Sequence, residues 1–158
     1  MAKGPEALTL RIAVLNGPNL NLLGQREPAI YGHRTLSDVE RLVREEAARL
    51  EVGISFSQTN HEGALIDAIQ QLPGRAEGLI LNGGAYTHTS LAIRDALLAV
   101  RVPFVEVHLS NLFARERSRQ RSLFADLAVG LVTGFGAEGY VLALRGLHRH
   151  LSAGRPQG

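Results

Sequence analysis

Apolar residues in this chain fall into short β-branched and leucine-rich runs, separated by stretches with a three-to-four-residue repeat. RIAVLN (11–16) is continuous enough to read as a buried strand. In TLSDVERLVREEAARL (35–50), Leu36, Val39, Leu42, Val43, Ala47 and Leu50 share one stripe with charges opposite, which predicts an amphipathic helix. VGISFSQ (52–58) is a second strand, and GALIDAIQQL (63–72) a helix closed by Pro73 and Gly74. EGLILN (77–82) is a third strand and SLAIRDALLAV (90–100) the next helix. VPFVEVHLS (102–110) contains a fourth strand, with Pro103 near its start, where a missing N–H does least harm. A fifth strand is expected between Ala125 and Thr133, and AEGYVLALRGLHRHL (137–151) reads as a closing helix.

Strands that are apolar throughout and alternate with helices imply a parallel sheet covered on both faces and joined by right-handed crossovers. Five strands suit an α/β doubly wound sandwich with the flavodoxin-like order 2-1-3-4-5. That order opens a ligand crevice beyond the carboxyl ends of the strands, beside the first and third. The expected organisation is one domain over residues 10–151, with flexible tails at 1–9 and 152–158.

The segments that follow strands one, three and four concentrate the polar chemistry. The first, NGPNLNLLGQREPAIYGHR (16–34), is far longer than the roughly 2–6 residues of an ordinary βα loop, which suggests a lid. It holds Asn16, Asn19, Asn21, Arg26 and Tyr31. NGGAYTHTS (82–90) brings backbone close to a ligand and offers Thr89 or Ser90 as a helix cap. In EVHLSN (106–111), alternation sends Glu106 and His108 to one side, so the carboxylate can orient the imidazole. Each residue also has a structural reading. Asn16 and Asn19 flank Gly17-Pro18 and suit a turn, Tyr31 suits an apolar anchor, and His88 and His108 suit ordinary loop and strand ends. His61 lies off the expected crevice, and His148 and His150 sit on a solvated helix face, where they cannot share a metal.

Composition removes several chemistries. The 158 residues include no cysteine, which excludes disulfides, a thiolate nucleophile, a zinc ribbon and an iron–sulfur site. Lys3 is the single lysine beside 16 arginines, so the body has no Schiff-base or P-loop lysine. No apolar run reaches the ~20 residues of a membrane helix. The first ten residues lack the apolar stretch of a secretory signal, and a cytoplasmic location is expected. The formal charge of +2 is too small to imply a nucleic-acid partner, although the isoelectric point is near 9.5. In ARERSRQRS (114–122), helical spacing puts Arg115 and Arg119 on one face and Arg117 and Arg121 on the other. That split favours carboxylate binding by Arg119 over a phosphate-tracking stripe.

NGPNLNLLGQREPAIYG (16–32), SQTNHEG (57–63), NGGAYTHTSLAIRDAL (82–97) and EVHLSNLFARE (106–116) together resemble the type II 3-dehydroquinate dehydratases, in order and spacing, over residues 10–150. The resemblance implies a flavodoxin-like hydro-lyase of the shikimate route or of quinate breakdown. Such an enzyme converts 3-dehydroquinate to 3-dehydroshikimate through an enolate, with neither metal nor cofactor, and assembles as a dodecamer of four trimers. It further implies Tyr31 as the base beside the ketone, Arg26 as its tyrosinate-stabilising partner, and Asn19 as the holder of a water on the enolate oxygen. His108 would be the acid that protonates the leaving hydroxyl, with Glu106 behind it. Asn82, His88, Leu109, Ser110 and Arg119 would bind substrate, and Asp95 would complete the site from a neighbouring subunit. Gly83 stands where members of the family carry proline or alanine, an expectation of a looser loop. Ser118 and Gln120 likewise replace the residues usual in the arginine segment.

Free tyrosine keeps its proton to about pH 10, so a tyrosinate at neutral pH takes roughly 4 kcal/mol of preferential stabilisation. One guanidinium about 4 Å away supplies that much at an effective dielectric near 20. Burial alone acts in the opposite direction. The alternative reading is a non-catalytic flavodoxin-like module that binds a small carboxylate.

Overall fold

The computed structural model describes residues 9–25 and 27–154, with Tyr31 described in its backbone alone. Five strands, β1 (Arg11–Asn16), β2 (Gly53–Gln58), β3 (Gly78–Asn82), β4 (Phe104–His108) and β5 (Gly130–Thr133), form an all-parallel sheet. Their order is β2-β1-β3-β4-β5, as expected from the strand–helix alternation. The burial of each strand follows its place. β3 and β4 are buried at every residue and β1 at all but its first, whereas the edge strands β2 and β5 are only partly covered.

Alternation along the strands sorts the core into two layers. Ile12, Val14, Ile80, Val105 and Val107 face α2 (Leu36–Leu50) and α5 (Glu138–Ala153). Ala13, Leu15, Leu79, Leu81 and Phe104 face α3 (Glu62–Gln70) and α4 (Leu91–Val100). Thr35 and Asp38 close a reciprocal capping box at the start of α2. Ser90, one of the two candidate caps, accepts the Ile93 N–H at 2.9 Å to start α4. No helix among the described residues is long and apolar enough to cross a membrane.

The structure refines the sequence reading in three places, each for a local reason. α5 continues to Ala153, because Leu147 and Leu151 lie over Gly78, where a side chain would collide with both. β5 occupies Gly130–Thr133, inside the stretch expected for it, and the Ser122 hydroxyl accepts the N–H groups of Phe124 and Ala125 and winds the preceding residues into a turn. The long segment after β1 is not structureless. It holds a 3-10 turn at Leu20–Leu22 and a short helix, α1 (Pro28–Tyr31).

Glu46 on α2 is a buried carboxylate that ties two helices on one face of the sheet. Its Oε1 accepts from Arg145 Nε of α5 at 2.7 Å, and its other oxygen pairs with Arg49. The hydrogen bond from Arg145 does most to hold this carboxyl below its ordinary value near 4.5, with desolvation opposing it. A carboxylate depressed in the folded state stabilises above its unfolded value and loses that contribution as pH falls through the folded one. Glu46→Gln is therefore expected to destabilise by about 1 kcal/mol at pH 7, a modest figure because both guanidinium partners are largely solvated. In urea unfolding the gap to the parent protein should shrink as pH drops below about 4.5; a constant gap would show that charge is not its origin.

Candidate active site

The carboxyl ends of β1, β3 and β4 supply the floor of one crevice. Asn16 and Asn82 are the last residues of β1 and β3 and stand in register, and His108 ends β4. Asn82 follows Ile80 on the α2–α5 face, whereas Glu106 and His108 continue Phe104 on the α3–α4 face. The crevice thus straddles the edge of the sheet. Asn19, Asn82, His88, His108, Leu109, Ser110 and Arg119 all line it. Arg115 lines it too.

Glu106 and His108 meet as their spacing suggested. His108 Nε2 lies 3.1 Å from Glu106 Oε2, and both side chains are buried. The approach is out of line for a hydrogen bond, which leaves those two atoms without such a partner. Glu106 Oε1 instead accepts from the hydroxyl of Ser122. That hydroxyl already accepts two backbone N–H groups at 3.0 and 3.1 Å, so its single hydrogen is directed at the carboxylate. The sequence reading missed Ser122, which is distant in the chain and carries no signal of its own. His88 stacks near His108, with ring centroids 6.5 Å apart. Its Nδ1 is 2.7 Å from the Arg121 carbonyl. A carbonyl only accepts, so Nδ1 carries the hydrogen and Nε2 is left for other contacts.

The loop after β1 is fixed at its root. Asn19 adopts a left-handed conformation with φ 66°, and its N–H bonds Asn60 Oδ1 at 3.0 Å. Gln58 donates to the Gly17 carbonyl at 3.1 Å and to Asn60 Oδ1 at 3.0 Å. Farther out, Gly24 (φ 86°) packs so closely on His33 that a Cβ there would sit 3.0 Å from the His33 carbonyl. The chain therefore leaves and returns through a narrow neck, carrying α1 between. Arg26 lies outside the described residues, as does the side chain of Tyr31, whose backbone closes α1.

Two expectations need correction. The arginine segment is not an α-helix. It forms 3-10 turns at Leu112–Ala114 and Arg117–Arg119, with Arg115 and Glu116 extended between them. Gln120 donates to the carbonyls of Phe113 and Arg115, at 3.3 and 2.8 Å, and the Asn111 side chain accepts the Phe113 N–H, so side chains satisfy the backbone that a helix would have paired. Arg115 and Arg119 still share the crevice, Arg115 donating to Ser110 Oγ at 3.0 Å and Arg119 to Glu116 Oε1 at 2.6 Å. Arg117 and Arg121 are exposed. Gly83 does not loosen its loop: a Cβ there would meet Thr87 Oγ1 at 2.6 Å and the Phe124 ring at 2.9 Å. Asp95, on an exposed part of α4, does not line the crevice of its own chain.

Against this geometry, a family model described as dehydroquinase class II matches residues 10–148. A 3-dehydroquinate dehydratase of Synechococcus sp. (strain WH7803) is 56% identical over 142 residues, which are 90% of this chain and 97% of that protein. A 3-dehydroquinate dehydratase of Dinoroseobacter shibae is 54% identical over 144 residues, 91% of this chain and 96% of its own. The crystal structure of a type II dehydroquinase from Butyrivibrio crossotus superposes with a TM-score of 0.86 at 39% identity, over 89% of this chain and 98% of that one.

Gly17 is the tightest point under the crevice. Its N–H bonds the Asn82 carbonyl at 2.8 Å, and a Cβ would lie 2.5 Å from the Gly83 carbonyl oxygen. Gly17→Ala is expected to destabilise by about 1–3 kcal/mol through overpacking against backbone. Urea unfolding measures this, and an unchanged midpoint would show that the β1 and β3 ends are free to separate.

Proposed function

The chain belongs to the dehydroquinase class II family, and from that premise we propose how its crevice carries out the reaction. The protein is a 3-dehydroquinate dehydratase, a hydro-lyase that converts 3-dehydroquinate to 3-dehydroshikimate. What supports the reading most is a single convergence: seven residues from three strand ends and their loops, all expected at a substrate, line one crevice.

Elimination of water beside a ketone needs a base for the α-proton, stabilisation of the enolate and an acid for the departing hydroxyl. Tyr31 is the base in this proposal, made effective as a tyrosinate by Arg26, both brought over the substrate by the loop after β1. Asn19 holds the water that hydrogen-bonds the enolate oxygen. His108 is the acid, and Glu106, held by Ser122, stands beside the imidazole. Asn82, His88 and Ser110, with the Leu109 backbone, bind substrate hydroxyls, and Arg119 binds the carboxylate. The reaction as proposed proceeds through an enolate and calls on neither metal nor cofactor.

Assembly is part of the same proposal. Asp95 reaches a neighbouring subunit's crevice in a dodecamer of four trimers. Exposed apolar side chains, among them Leu91 and Leu98 on α4, give such contacts material. The cytoplasmic location expected from the sequence suits a shikimate-pathway step on a small soluble substrate.

The purified protein mixed with 3-dehydroquinate should generate the ultraviolet absorbance of a conjugated enone. Borohydride should cause no inactivation during turnover. Tyr31→Phe and His108→Asn should each lower kcat by about 10²–10⁴-fold with the fold retained by circular dichroism. Turnover of Tyr31→Phe close to that of the parent would remove tyrosine from the role of base.

A further inference from the structure

One buried side chain at the crevice belongs to none of the sequence motifs. Tyr140, in the first turn of α5, is fully buried and does not line the crevice, yet its hydroxyl sits between two strand-end amides. It lies 2.6 Å from Asn16 Oδ1 and 2.8 Å from Asn82 Nδ2. We propose that Tyr140 is a positioning residue whose hydroxyl fixes which way round the Asn82 amide meets the substrate. This rests on the reading above that Asn82 binds substrate.

The argument is one of donors and acceptors in a closed chain. The Ser57 carbonyl at one end only accepts, so Asn16 turns Nδ2 towards it, at 3.0 Å. Asn16 Oδ1 then points the other way and requires a donor, which is the Tyr140 hydroxyl. With its hydrogen committed, the Tyr140 oxygen is left as an acceptor and takes a hydrogen from Asn82 Nδ2. Asn82 Oδ1 is then directed at the Gly84 N–H, 3.1 Å away, which only donates. Both ends are backbone groups of fixed polarity, so a single direction satisfies all four bonds. A reversed Asn82 would set its oxygen against a hydroxyl oxygen and its NH₂ against an N–H.

The phenol suits this task. Burial holds the Tyr140 hydroxyl well above the ordinary tyrosine range, with the Asn82 hydrogen bond lowering it only in part, so the proton that orders the chain is retained. The ring packs in the core layer beneath α5, with Val14, Ile80 and Val107 in the same cluster, which fixes where the oxygen sits. What remains free on Asn82 is one Nδ2 hydrogen and one Oδ1 lone pair, in a set orientation.

The test is steady-state kinetics on 3-dehydroquinate with Tyr140→Phe, Asn82→Ala and the double variant. Tyr140→Phe is expected to raise KM about tenfold with kcat within about twofold, the size of one lost hydrogen bond to a binding group. Asn82→Ala should raise KM at least as far, and adding Tyr140→Phe to it should change nothing more. Additive losses in the double variant, a parental KM in Tyr140→Phe, or a fall in kcat at constant KM would each overturn the proposal. A parental KM in Asn82→Ala would instead remove Asn82 from substrate binding, and the proposal with it. Should Tyr140→Phe not fold, Asn16→Ala keeps the ring and deletes the acceptor that orients the hydroxyl. It should raise KM in the parent but not in the Asn82→Ala background, and an Asn16→Ala variant of the parent with unchanged KM overturns the proposal equally.

Discussion

The site depends on one buried hydrogen-bonded junction, where the Tyr140 hydroxyl joins the side chains that end β1 and β3. Parallel strands end with carbonyls and side chains pointing out of the core, and polar groups there must be paired or solvated. Asn16, Asn82 and Tyr140 are among the most buried polar groups of the molecule, and each finds its partner in the others or in nearby backbone. The junction lets the Asn82 amide line the crevice with its buried neighbours Asn16 and Tyr140 fully paired behind it. It also ties α5 to the strand ends, so the helix that covers one face of the sheet participates in the geometry of the site.

The two tyrosines of the argument obey opposite electrostatics. Tyr140 has two amides as hydrogen-bond partners, and burial keeps it protonated. A tyrosine that is to act as a base needs the reverse, a guanidinium close enough to outweigh desolvation. The same side chain thus serves as a neutral donor in the core and, in the proposed mechanism, as an anion on the loop. Glu106 shows a third arrangement: a carboxylate with no exposed surface, given one hydroxyl donor by Ser122 and set beside His108.

Much of this was legible from the chain, because strand periodicity and strand-end residues follow local rules. Alternation through EVH put Glu106 and His108 on one side, and the order of strands placed their ends beside those of β1 and β3. Asn19 lies on the loop that leaves β1, whereas the binding roles of Asn82 and His88 came only with the family resemblance. Tyr140 and Ser122 were not legible. Tyr140 sits on an apolar helical stripe, where a tyrosine looks like core, and only the register of Asn16 with Asn82 gives its hydroxyl a purpose. Ser122 looks like any loop serine until the turn it caps is seen to abut β4. The arginine segment misled for a related reason. Helical spacing was applied to residues whose carbonyls are claimed by the Gln120 side chain, and Arg115 and Arg119 converge through two short turns instead.

These features divide the crevice into parts of different mechanical character. His108, Asn82 and Leu109 belong to strand ends or their immediate continuation, and their positions are set by the sheet and by a junction with no slack. Arg26 and Tyr31 belong to the segment between Gly24 and His33, two residues whose backbones pack closely together. On the proposed mechanism the acid is therefore held in place before substrate arrives, while the base comes with the loop. That assignment is physically economical. The acid needs a buried carboxylate beside it, which only the core can hold, whereas an unneutralised tyrosinate would be costly to bury permanently. On the proposed mechanism, proton abstraction is conditional on the loop covering the crevice, the condition under which water is excluded from the enolate.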